Sequence, residues 1–559
     1  MSFVISRSCR PVKRYCSRCY SSTQIEQHDL VVVGGGPAGL ALTAALASSE
    51  TISSTHKITL LEGNSLNSIT DWNPTSISKD QSNRVSSITK ENREWLTKIG
   101  VWQHVDKTRT RDIKQMQVWD GLSDARIQFN SSSRGSSMAT LTENLNLQRA
   151  ALKRIKQLGD RVELLDRMKV KQITRDTRET GGGWPIVNLE NSDATIKRSL
   201  RARLLIGADG ANSPVKTFSD IETFGWNYDR QGVVASLNLD ELGQGSSSTH
   251  TAFQRFLPQG PIAFLPLSDN TASLVWSTTP QFAKLFKLLP PLAFSHLINL
   301  AFCLPYSQLY SILDQLSNSS SSLPDSEALI SSLKEIHQTH LEKTYSPAIS
   351  TSDLLPPLVT SIQSGSIASF PLRLSHTSSY LGLPSPSGGN STSSPQDLRT
   401  VLVGDAAHTI HPLAGQGLNL GLLDSTSLVQ VIENSIKNGT DSGSYISLLP
   451  YPRERYFKNH LVLSTCDHLN SLYSLENRLG VWVRSNGLEV LNELDGFKDL
   501  LMGGAGGASG SSSNSSGGWG FVAGAMENVG KVRDLVGFAG NLVGGIVKKR
   551  ATEFVVKGR

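Results

Sequence analysis

The segment Asp29–Glu50, DLVVVGGGPAGLALTAALASSE, decides the fold. Its first part, Leu30–Val33, is an apolar and mostly β-branched run, typical of a buried strand. Three glycines then form GxGxxG directly before an apolar helical run, namely Gly34, Gly36 and Gly39. In this pattern the first glycine allows a tight turn and the second lets a pyrophosphate reach the helix N-terminus. The third lets the helix pack closely on the strand.

A second predicted strand, Lys57–Leu61, ends at Glu62, where a carboxylate can accept hydrogen bonds from ribose hydroxyls. Strand, glycines, helix, strand and acid therefore follow one another in the order of a dinucleotide-binding unit. They predict an α/β fold with a Rossmann-like domain. This segment alone does not decide between FAD and NAD.

Two later predicted strands also end in glycine and aspartate. Leu204–Asp209 reads LLIGAD and is followed by Gly210, and Thr400–Val403 is followed by Gly404-Asp405. A buried carboxylate without partners is costly, so packing alone explains this repetition poorly. A ligand rich in hydroxyl groups would satisfy both carboxylates.

After Asp405 the pattern restarts as a helix near Gly415. Glycines at 415, 417 and 421 leave the start of this helix bare, so a flat ligand could approach backbone N–H groups that carry partial positive charge. This arrangement suits a ring that becomes an anion. The structural alternative is an ordinary strand–turn–helix in which Asp405 is only a cap.

The segment Gly225–Trp276 alternates as a β-sheet does and predicts a second, sheet-based domain that lies over the cofactor. Its apolar side chains either form the core or line an apolar substrate pocket; they include Phe253, Phe256, Ile262 and Phe264. A helical segment from about Tyr306 to Pro357 forms an insert in this domain.

The predicted organisation divides the chain into six parts. They are a presequence (1–22), a discontinuous Rossmann-like domain (27–220 and 365–450), a β-sheet substrate domain with a helical insert (221–364), C-terminal helices (451–502), a Gly/Ser linker (503–518) and an amphipathic basic tail (519–559).

The first 20 residues contain five basic side chains and serines but no acid, which is typical of a mitochondrial presequence. The alternative is a disordered basic N-terminus. Three of the five cysteines also lie there, so neither a disulfide framework nor a CxxC metal site remains in the rest of the chain. Without those five charges the net charge of +6 falls to about +1, and no nucleic-acid partner is indicated. No apolar run reaches the roughly 20 residues of a membrane span.

The tail, residues 519–559, carries apolar residues at helical spacing and a basic excess. It suits an amphipathic helix on an acidic membrane surface or on a partner. Its glycines each cost a helix about 1 kcal/mol, so a disordered tail is the alternative.

Four stretches together carry a family resemblance: GGGPAG at 34–39, Arg84-Val85-Ser86, GADG at 207–210 and GDAAHTIHPLAGQGLNLG at 404–421. With them the chain resembles the FAD-dependent aromatic hydroxylases. It is most similar to their ubiquinone-biosynthesis branch, whose pattern matches WNYDRQG at 226–232, AFQRFLP at 252–258, GPIA at 260–263 and FPL at 370–372.

The resemblance implies FAD as cofactor and assigns residues to its parts. The ADP half would be bound by Gly34, Gly36, Gly39 and Glu62, and the flavin side would be contacted by Arg84 and Gln148. Asp209 and Gly210 would contact the pyrophosphate region, and Asp405 would bind a ribityl hydroxyl. The loop along the flavin ring is assigned to Pro412, Gly415, Gln416, Gly417, Leu418 and Asn419. One departure is Lys216, where related enzymes have an arginine that can form a bidentate phosphate contact.

No catalytic dyad is needed, because the cofactor performs the chemistry. Candidate substrate contacts are Gln254, Phe264 and His411. His408 and His411 are also candidates for acid-base groups, but the favoured interpretation is that they are structural residues of the loop that carries Pro412. No metal ligand set is predicted.

The resemblance also implies the reaction and its partners. It implies a monooxygenase that uses O2, through a flavin hydroperoxide, to hydroxylate ring carbon 5 of a polyprenylated phenol or benzoate in mitochondrial ubiquinone biosynthesis. Electrons would come from a ferredoxin and its reductase. The enzyme would lie peripherally on the matrix side of the inner membrane, in a complex with other ubiquinone-biosynthesis proteins.

Three alternatives remain at this point. One is a soluble phenol hydroxylase that uses NADPH directly. The others are a binding protein similar to GDP-dissociation inhibitors, which share the glycine-rich architecture, and a non-catalytic scaffold of a biosynthetic complex.

Overall fold

The structure is a computed structural model that describes residues 25–476 and residue 481, except 73–81, 124, 132–136, 177–182, 240–249, 319–325, 345–354, 384–397, 413–414 and 477–480. The predicted presequence, Gly/Ser linker and basic tail lie outside the described residues, as do most residues of the segment 477–502.

Strands and helices follow one another along the whole described chain. The strands are β1 (Ile25–Val33), β2 (Ile58–Leu61), β3 (Val85–Thr89), β4 (Thr110–Ile113), β5 (Gln115–Asp120), β6 (Arg126–Asn130), β7 (Ala139–Glu143), β8 (Val162–Leu165), β9 (Met168–Arg175), β10 (Pro185–Asn191), β11 (Lys197–Gly207), β12 (Thr223–Leu239), β13 (Thr251–Phe256), β14 (Ile262–Pro266), β15 (Thr271–Thr278), β16 (Val359–Ile362), β17 (Ala368–Thr377), β18 (Thr400–Leu402) and β19 (His408–Thr409). The helices are α1 (Pro37–Ser48), α2 (Glu50–Ser53), α3 (Asn67–Thr70), α4 (Lys90–Lys98), α5 (Asn144–Gln157), α6 (Pro214–Phe218), α7 (Pro280–Leu288), α8 (Pro291–Cys303), α9 (Tyr306–Asn318), α10 (Ser326–Thr344), α11 (Gly417–Lys437), α12 (Tyr445–Leu448) and α13 (Pro450–Tyr473).

The first sheet has the strand order β8-β2-β1-β11-β10-β9, with β18 paired to β11. The strands β8, β2, β1, β11 and β18 run parallel, whereas β10 pairs antiparallel with both of its neighbours, β11 and β9. Residues Leu30–Val33 of β1 are buried, as a parallel strand covered on both faces requires. The strands that carry the predicted glycine turn, Glu62, Asp209 and Asp405 are thus neighbours, so their carboxyl ends meet at one edge of the sheet.

The second sheet has the order β19-β17-β12-β15-β14-β13-β5-β6, with β16 paired to β12. Helices α7, α8, α9 and α10 bury their apolar side chains against β12, β13, β14 and β15 in a separate hydrophobic core. A third, small sheet of β3, β7 and β4 completes the strands.

Sheet membership differs from the predicted domain boundaries at two places. Strands β5 and β6 were assigned to the Rossmann-like domain, but β5 pairs in parallel with β13 of the second sheet. Strand β17 was assigned to the same domain, but it pairs with β12 along most of its length. Both differences come from pairings between strands distant in sequence, which local patterns do not encode. The α/β fold class itself is confirmed.

Among the described helices, none is both long and apolar enough to span a bilayer.

Candidate active site

The turn between β1 and α1 requires glycine at two of its three predicted positions. Gly34 has a φ of +109°, and a Cβ there would lie 2.3 Å from the Ala208 carbonyl oxygen. A Cβ on Gly39 would lie 2.0 Å from the Gly34 oxygen, so this glycine lets α1 pack on the turn. At Gly36, by contrast, a Cβ would meet nothing within 4 Å. The protein therefore does not need glycine at Gly36 for its own packing, and the open space there suits a ligand.

Glu62 follows β2 and faces the glycine turn. Its carboxylate accepts hydrogen bonds from the Gly35 N–H at 2.6 Å and the Asn64 N–H at 2.7 Å. The Gln148 amide, on α5, donates to the Gly35 carbonyl at 3.1 Å. Because a carboxylate has about four acceptor positions, Glu62 retains capacity for ribose hydroxyls. The structure thus places Gln148 beside the glycine turn, and its contact with the flavin side of the cofactor stays a prediction.

Asp209 and Gly210 form the turn after β11. Gly210 has a φ of +80° and open space around its Cα. Burial raises the pKa of Asp209 to about 6, against the opposing effect of hydrogen bonds from Ser213 and Val215. Its Oδ1 atom is buried and has no hydrogen-bond partner among the described residues. Lys216, which stands where related enzymes have an arginine, donates to the Ala211 carbonyl at 2.9 Å.

Asp405 lies in the turn after β18, where its side chain is accessible to solvent but closely surrounded by protein. Loss of water around it raises its pKa, while the positive charges of His408, Arg373 and Arg84 act in the opposite direction. Such a carboxylate, accessible yet poorly hydrated, is the kind that lines a cleft. Arg84 was predicted to lie here; Arg373, which β17 contributes from the second sheet, was not.

The start of α11 has no side-chain cap. The N-cap residue is Gln416, and its side chain makes no capping hydrogen bond. Gly415, with a φ of +59°, is exposed, and its N–H donates to the Pro412 carbonyl at 3.2 Å. Among the described residues, the first N–H groups of the helix, those of Gly417 and Leu418, have no hydrogen-bond acceptor, so they suit a negatively charged ligand. Two loop residues, 413 and 414, lie outside the described residues.

Asn419 holds this helix start in place through its side chain. Its amide nitrogen donates to the Ser87 carbonyl at 2.6 Å, and its amide oxygen accepts from the Thr89 N–H at 3.1 Å and from Asn92 at 2.9 Å. These contacts fasten α11 to β3 and α4. Its side chain thus serves packing, and a contact with the cofactor would use its backbone N–H.

The starts of α1 and α11 lie side by side. A Cβ on Gly421 would lie 3.3 Å from both the Ala38 Cβ and the Gly404 Cα. This glycine therefore allows α11 to approach α1 and the turn before Asp405. Like α11, α1 has no side-chain cap and no acid in its first turn. Two helix N-termini with partial positive charge thus converge on the edge where the carboxylates lie.

These features fit FAD. The open space at Gly36 admits a pyrophosphate, the uncapped helix starts suit its phosphates and flavin, and the carboxylates suit its hydroxyls. The unpartnered Asp209 Oδ1 calls for a donor that the described protein atoms do not supply. No group of three or more metal-binding side chains occurs among the residues that the structure describes.

Two of the predicted substrate contacts lie in the second sheet. Phe264, on β14, is 0% exposed and packs edge-on against Phe253 and Phe302, with ring centroids 6.1 and 6.5 Å apart. Gln254, on β13, is also buried. The geometry of Phe264 favours a packing role; a substrate contact of either residue stays a prediction.

His411 is 1% exposed, and neither ring nitrogen has a hydrogen-bond partner among the described residues. Its ring packs edge-on against Tyr228 with the centroids 5.0 Å apart. The Tyr228 hydroxyl itself donates to Asp467 at 2.8 Å, so it does not satisfy the imidazole. Burial lowers the pKa of His411 to about 4, which keeps the ring neutral and able to both donate and accept.

One buried polar cluster beside the site escaped the sequence analysis. Asp424 of α11 is 0% exposed and binds His408, Arg455 and Asn459. An available signal was the position of Asp424, four residues after the buried Leu420 and four before the buried Leu428 of the same helix. An aspartate in such an apolar stripe predicts buried partners. The prediction that His408 is structural agrees with this geometry.

The chain matches a family model described as FAD binding domain over residues 27–284 and 387–455, more than half of its length. Three relatives carry the name "Ubiquinone biosynthesis monooxygenase COQ6, mitochondrial". The Schizosaccharomyces pombe protein is 36% identical and the match covers 87% of this chain and 94% of the relative; the Saccharomyces cerevisiae and Homo sapiens proteins are each 34% identical, covering 85% of this chain and 92% of the relative.

Solved structures share the fold at low identity. The p-nitrophenol 4-monooxygenase PnpA of Pseudomonas putida DLL-E4 superposes with a TM-score of 0.55 at 16% identity, covering 86% of this chain and 97% of that one. PqsL, a probable FAD-dependent monooxygenase from Pseudomonas aeruginosa, gives 0.51 at 19% identity, covering 83% and 100%. The predicted FAD cofactor and family are thereby confirmed. The chain belongs to the FAD-dependent monooxygenases, and within them to the family of ubiquinone-biosynthesis monooxygenases.

Proposed function

We propose that this monooxygenase hydroxylates ring carbon 5 of a polyprenylated phenol or benzoate in mitochondrial ubiquinone biosynthesis. The observation that carries the proposal is the match to relatives named for that pathway over 85–87% of this chain. The carbon position rests on the family resemblance of the sequence. The match supports the proposed pathway because it includes the strands of the second sheet as well as the FAD-binding part.

We also infer the roles of the site residues. Gly34, Gly36 and Gly39, with Glu62, would hold the ADP half of FAD, because the open space and the carboxylate lie together there. The turn Asp209-Gly210 would receive the pyrophosphate region, and Asp405 a ribityl hydroxyl.

The start of α11 would lie along the flavin ring, with Pro412, Gly415 and Gln416 before the first helical residue. When bound, FAD supplies the electrons and activates O2 for insertion of one oxygen atom into an electron-rich ring. The N–H groups of Gly417 and Leu418 would offer partial positive charge to negative charge on the reduced ring, worth roughly 0.3–2 kcal/mol. Placing the substrate ring in a cleft between the two sheets would exclude water.

His411 is the substrate contact that the geometry supports best. A buried neutral imidazole without partners costs roughly 1–3 kcal/mol for each unmet hydrogen bond. A hydroxyl group on the substrate ring can both donate and accept, so it can satisfy this side chain.

The partners follow from the same resemblance. Electrons would reach the flavin from a ferredoxin and its reductase. The enzyme would lie peripherally on the matrix side of the inner membrane, among other ubiquinone-biosynthesis proteins. The mitochondrial names of the relatives and the basic N-terminal segment support this location.

Mass spectrometry of the quinone intermediates in cells lacking the protein tests the reaction. We expect a polyprenylated ring without the carbon-5 hydroxyl to accumulate, and the wild-type chain to restore ubiquinone where Asp405→Ala does not. Accumulation of an intermediate already hydroxylated at carbon 5 would contradict the proposal.

The electron donor is tested separately with the purified protein. We expect flavin reduction by the ferredoxin system and no oxidation of NADPH in its absence. Direct, substrate-dependent NADPH oxidation would instead identify an NADPH-using phenol hydroxylase.

A further inference from the structure

The buried Asp424 carboxylate lies behind the turn that carries Asp405 and is surrounded by donors. Its Oδ2 accepts from the Gly404 N–H at 3.2 Å and from His408 Nε2 at 2.7 Å. Its Oδ1 accepts from Arg455 Nε at 3.0 Å and from Asn459 Nδ2 at 2.9 Å. Both oxygens are therefore fully used by the protein, so Asp424 has a positioning role and makes no contact with the cofactor.

Of these donors, Gly404 belongs to the turn after β18, and His408 begins β19 just after that turn. Gly404 has a φ of +62°, a left-handed conformation that a hydrogen bond to its N–H helps to fix. The next residue is Asp405, the carboxylate proposed above to hold a ribityl hydroxyl of FAD. The direction in which Asp405 leaves the backbone thus depends on the contact between Gly404 and Asp424.

The other two donors belong to α13. Arg455 also donates to the side-chain amide oxygen Oδ1 of Asn459 at 2.6 Å, so the two side chains of this helix hold each other. One helical turn earlier, the Tyr451 hydroxyl donates to the Leu402 carbonyl of β18 at 2.8 Å. Helix α13 therefore contacts both the last strand before the turn and the residue that fixes the turn.

This helix lies at and beyond the end of the matched FAD binding domain, which stops at residue 455. Asn459 is outside it. The match therefore covers only the start of α13, with Tyr451 and Arg455, and leaves out the rest of the helix.

The Asp424 carboxylate is ionised, and its partners stabilise that charge. Burial alone would raise the pKa of Asp424, but the neighbouring His408, Arg455 and Asn459 hold it well below its usual range. The carboxylate stays ionised, and a buried ion tolerates the loss of its partners poorly.

We propose that α13 is part of the FAD site, and that Asp424 couples the docking of α13 to the turn that presents Asp405. Coupling between two sites is reciprocal. Bound FAD therefore favours docked α13 to the same extent that docked α13 favours FAD.

The test uses the full chain, freed of FAD and then titrated with FAD. In Asp424→Asn, one carboxylate oxygen becomes an NH2 group, and whichever way the amide turns, that group faces two donors. We expect FAD affinity to fall about tenfold or more, within the usual range of such couplings. Hydrogen exchange with mass spectrometry then reports α13: in the wild type, FAD should slow exchange of its amides, and in the variant this effect should disappear.

Asn459→Ala provides a second, milder variant in case Asp424→Asn folds poorly. It removes one donor to Asp424 from the α13 side, together with the contacts of Asn459 with Arg455, Tyr380 and His408, and changes no residue of β18 or α11. We expect weaker FAD binding and a smaller effect of FAD on α13 exchange, while FAD still protects α1.

The matched control is Ser427→Ala. Ser427 also joins α11 to α13, through a 2.6 Å hydrogen bond to Glu454, but it does not reach the turn. This variant should retain wild-type FAD affinity and FAD protection of α13. The proposal is overturned if Asn459→Ala and the control behave alike, or if FAD leaves α13 exchange unchanged in the wild-type protein.

Discussion

Alanine at Gly36 and alanine at Gly39 should have opposite effects, although the two glycines lie three residues apart. At Gly39 a Cβ would lie 2.0 Å from the Gly34 oxygen, so α1 has to move away from the turn. Overpacking of this kind costs about 1–3 kcal/mol of the free energy of unfolding. At Gly36 a Cβ meets nothing within 4 Å, and the backbone, at φ −68° and ψ 174°, suits alanine. The FAD-free Gly36→Ala protein should therefore unfold within ~0.5 kcal/mol of the wild type.

In FAD binding, by contrast, Gly36→Ala should be the defective variant. If the pyrophosphate passes over Gly36, a methyl group there holds it away from the N–H groups of α1. Loss of one hydrogen bond to a charged group, worth about 1.5–3 kcal/mol, weakens affinity roughly 10- to 150-fold.

Two measurements on each variant separate the effects: urea unfolding of the FAD-free protein, and fluorescence titration with FAD. We expect Gly36→Ala to be stable and deficient in FAD binding, and Gly39→Ala to be unstable. Wild-type FAD affinity in Gly36→Ala would refute the placement of the pyrophosphate.

Four further predictions concern the rest of the site. Asp405→Ala should lose FAD and activity together, as absorbance at the flavin bands and turnover would report; an active variant with full flavin content would contradict its role. Gly415→Val should lose FAD, whereas Gly439→Val, with a similar φ of +67° and open space at the far end of α11, provides a control for backbone strain and should keep it. Because the pKa of Asp209 is raised to about 6, this residue contributes a loss of stability as the pH rises from 4 to 6. In urea unfolding without FAD, the stability of the wild type relative to Asp209→Asn should therefore fall over this pH range. Because the pKa of His411 is lowered to about 4, this residue contributes a loss of stability as the pH falls from 6.5 to 4, and His411→Leu should remove that contribution. The same variant should bind a phenol more weakly, as measured by flavin difference spectra, and unchanged binding would exclude the substrate contact.

The glycine turn was predictable because its constraints are local. A positive φ at Gly34 and the close approach at Gly39 restrict single positions, and the strands on either side have continuous apolar patterns. The strand ends that carry Asp209 and Asp405 were predictable for the same reason. Their assembly at one edge follows from the parallel order of the strands.

Other features depend on contacts between distant residues and could not be predicted in this way. Strand β5 joins β13 across more than a hundred residues, so local alternation does not say which sheet it enters. The side chain of Asn419 binds Ser87, Thr89 and Asn92, more than three hundred residues earlier, while its contact with the cofactor stays a prediction. The polar cluster around Asp424 needs α13, which lies beyond the residues that carry the resemblance most strongly.

The central claim is that this chain inserts one atom of molecular oxygen into the ring of a polyprenylated phenol. The most direct measurement supplies the purified FAD-loaded enzyme with a polyprenylated phenol and the ferredoxin system under oxygen-18 gas, and analyses the ring by mass spectrometry. We predict one labelled oxygen atom in each product molecule and none from labelled water. A product that takes its new oxygen from water, or no hydroxylated product in a flavin-replete and reduced enzyme, would contradict the account.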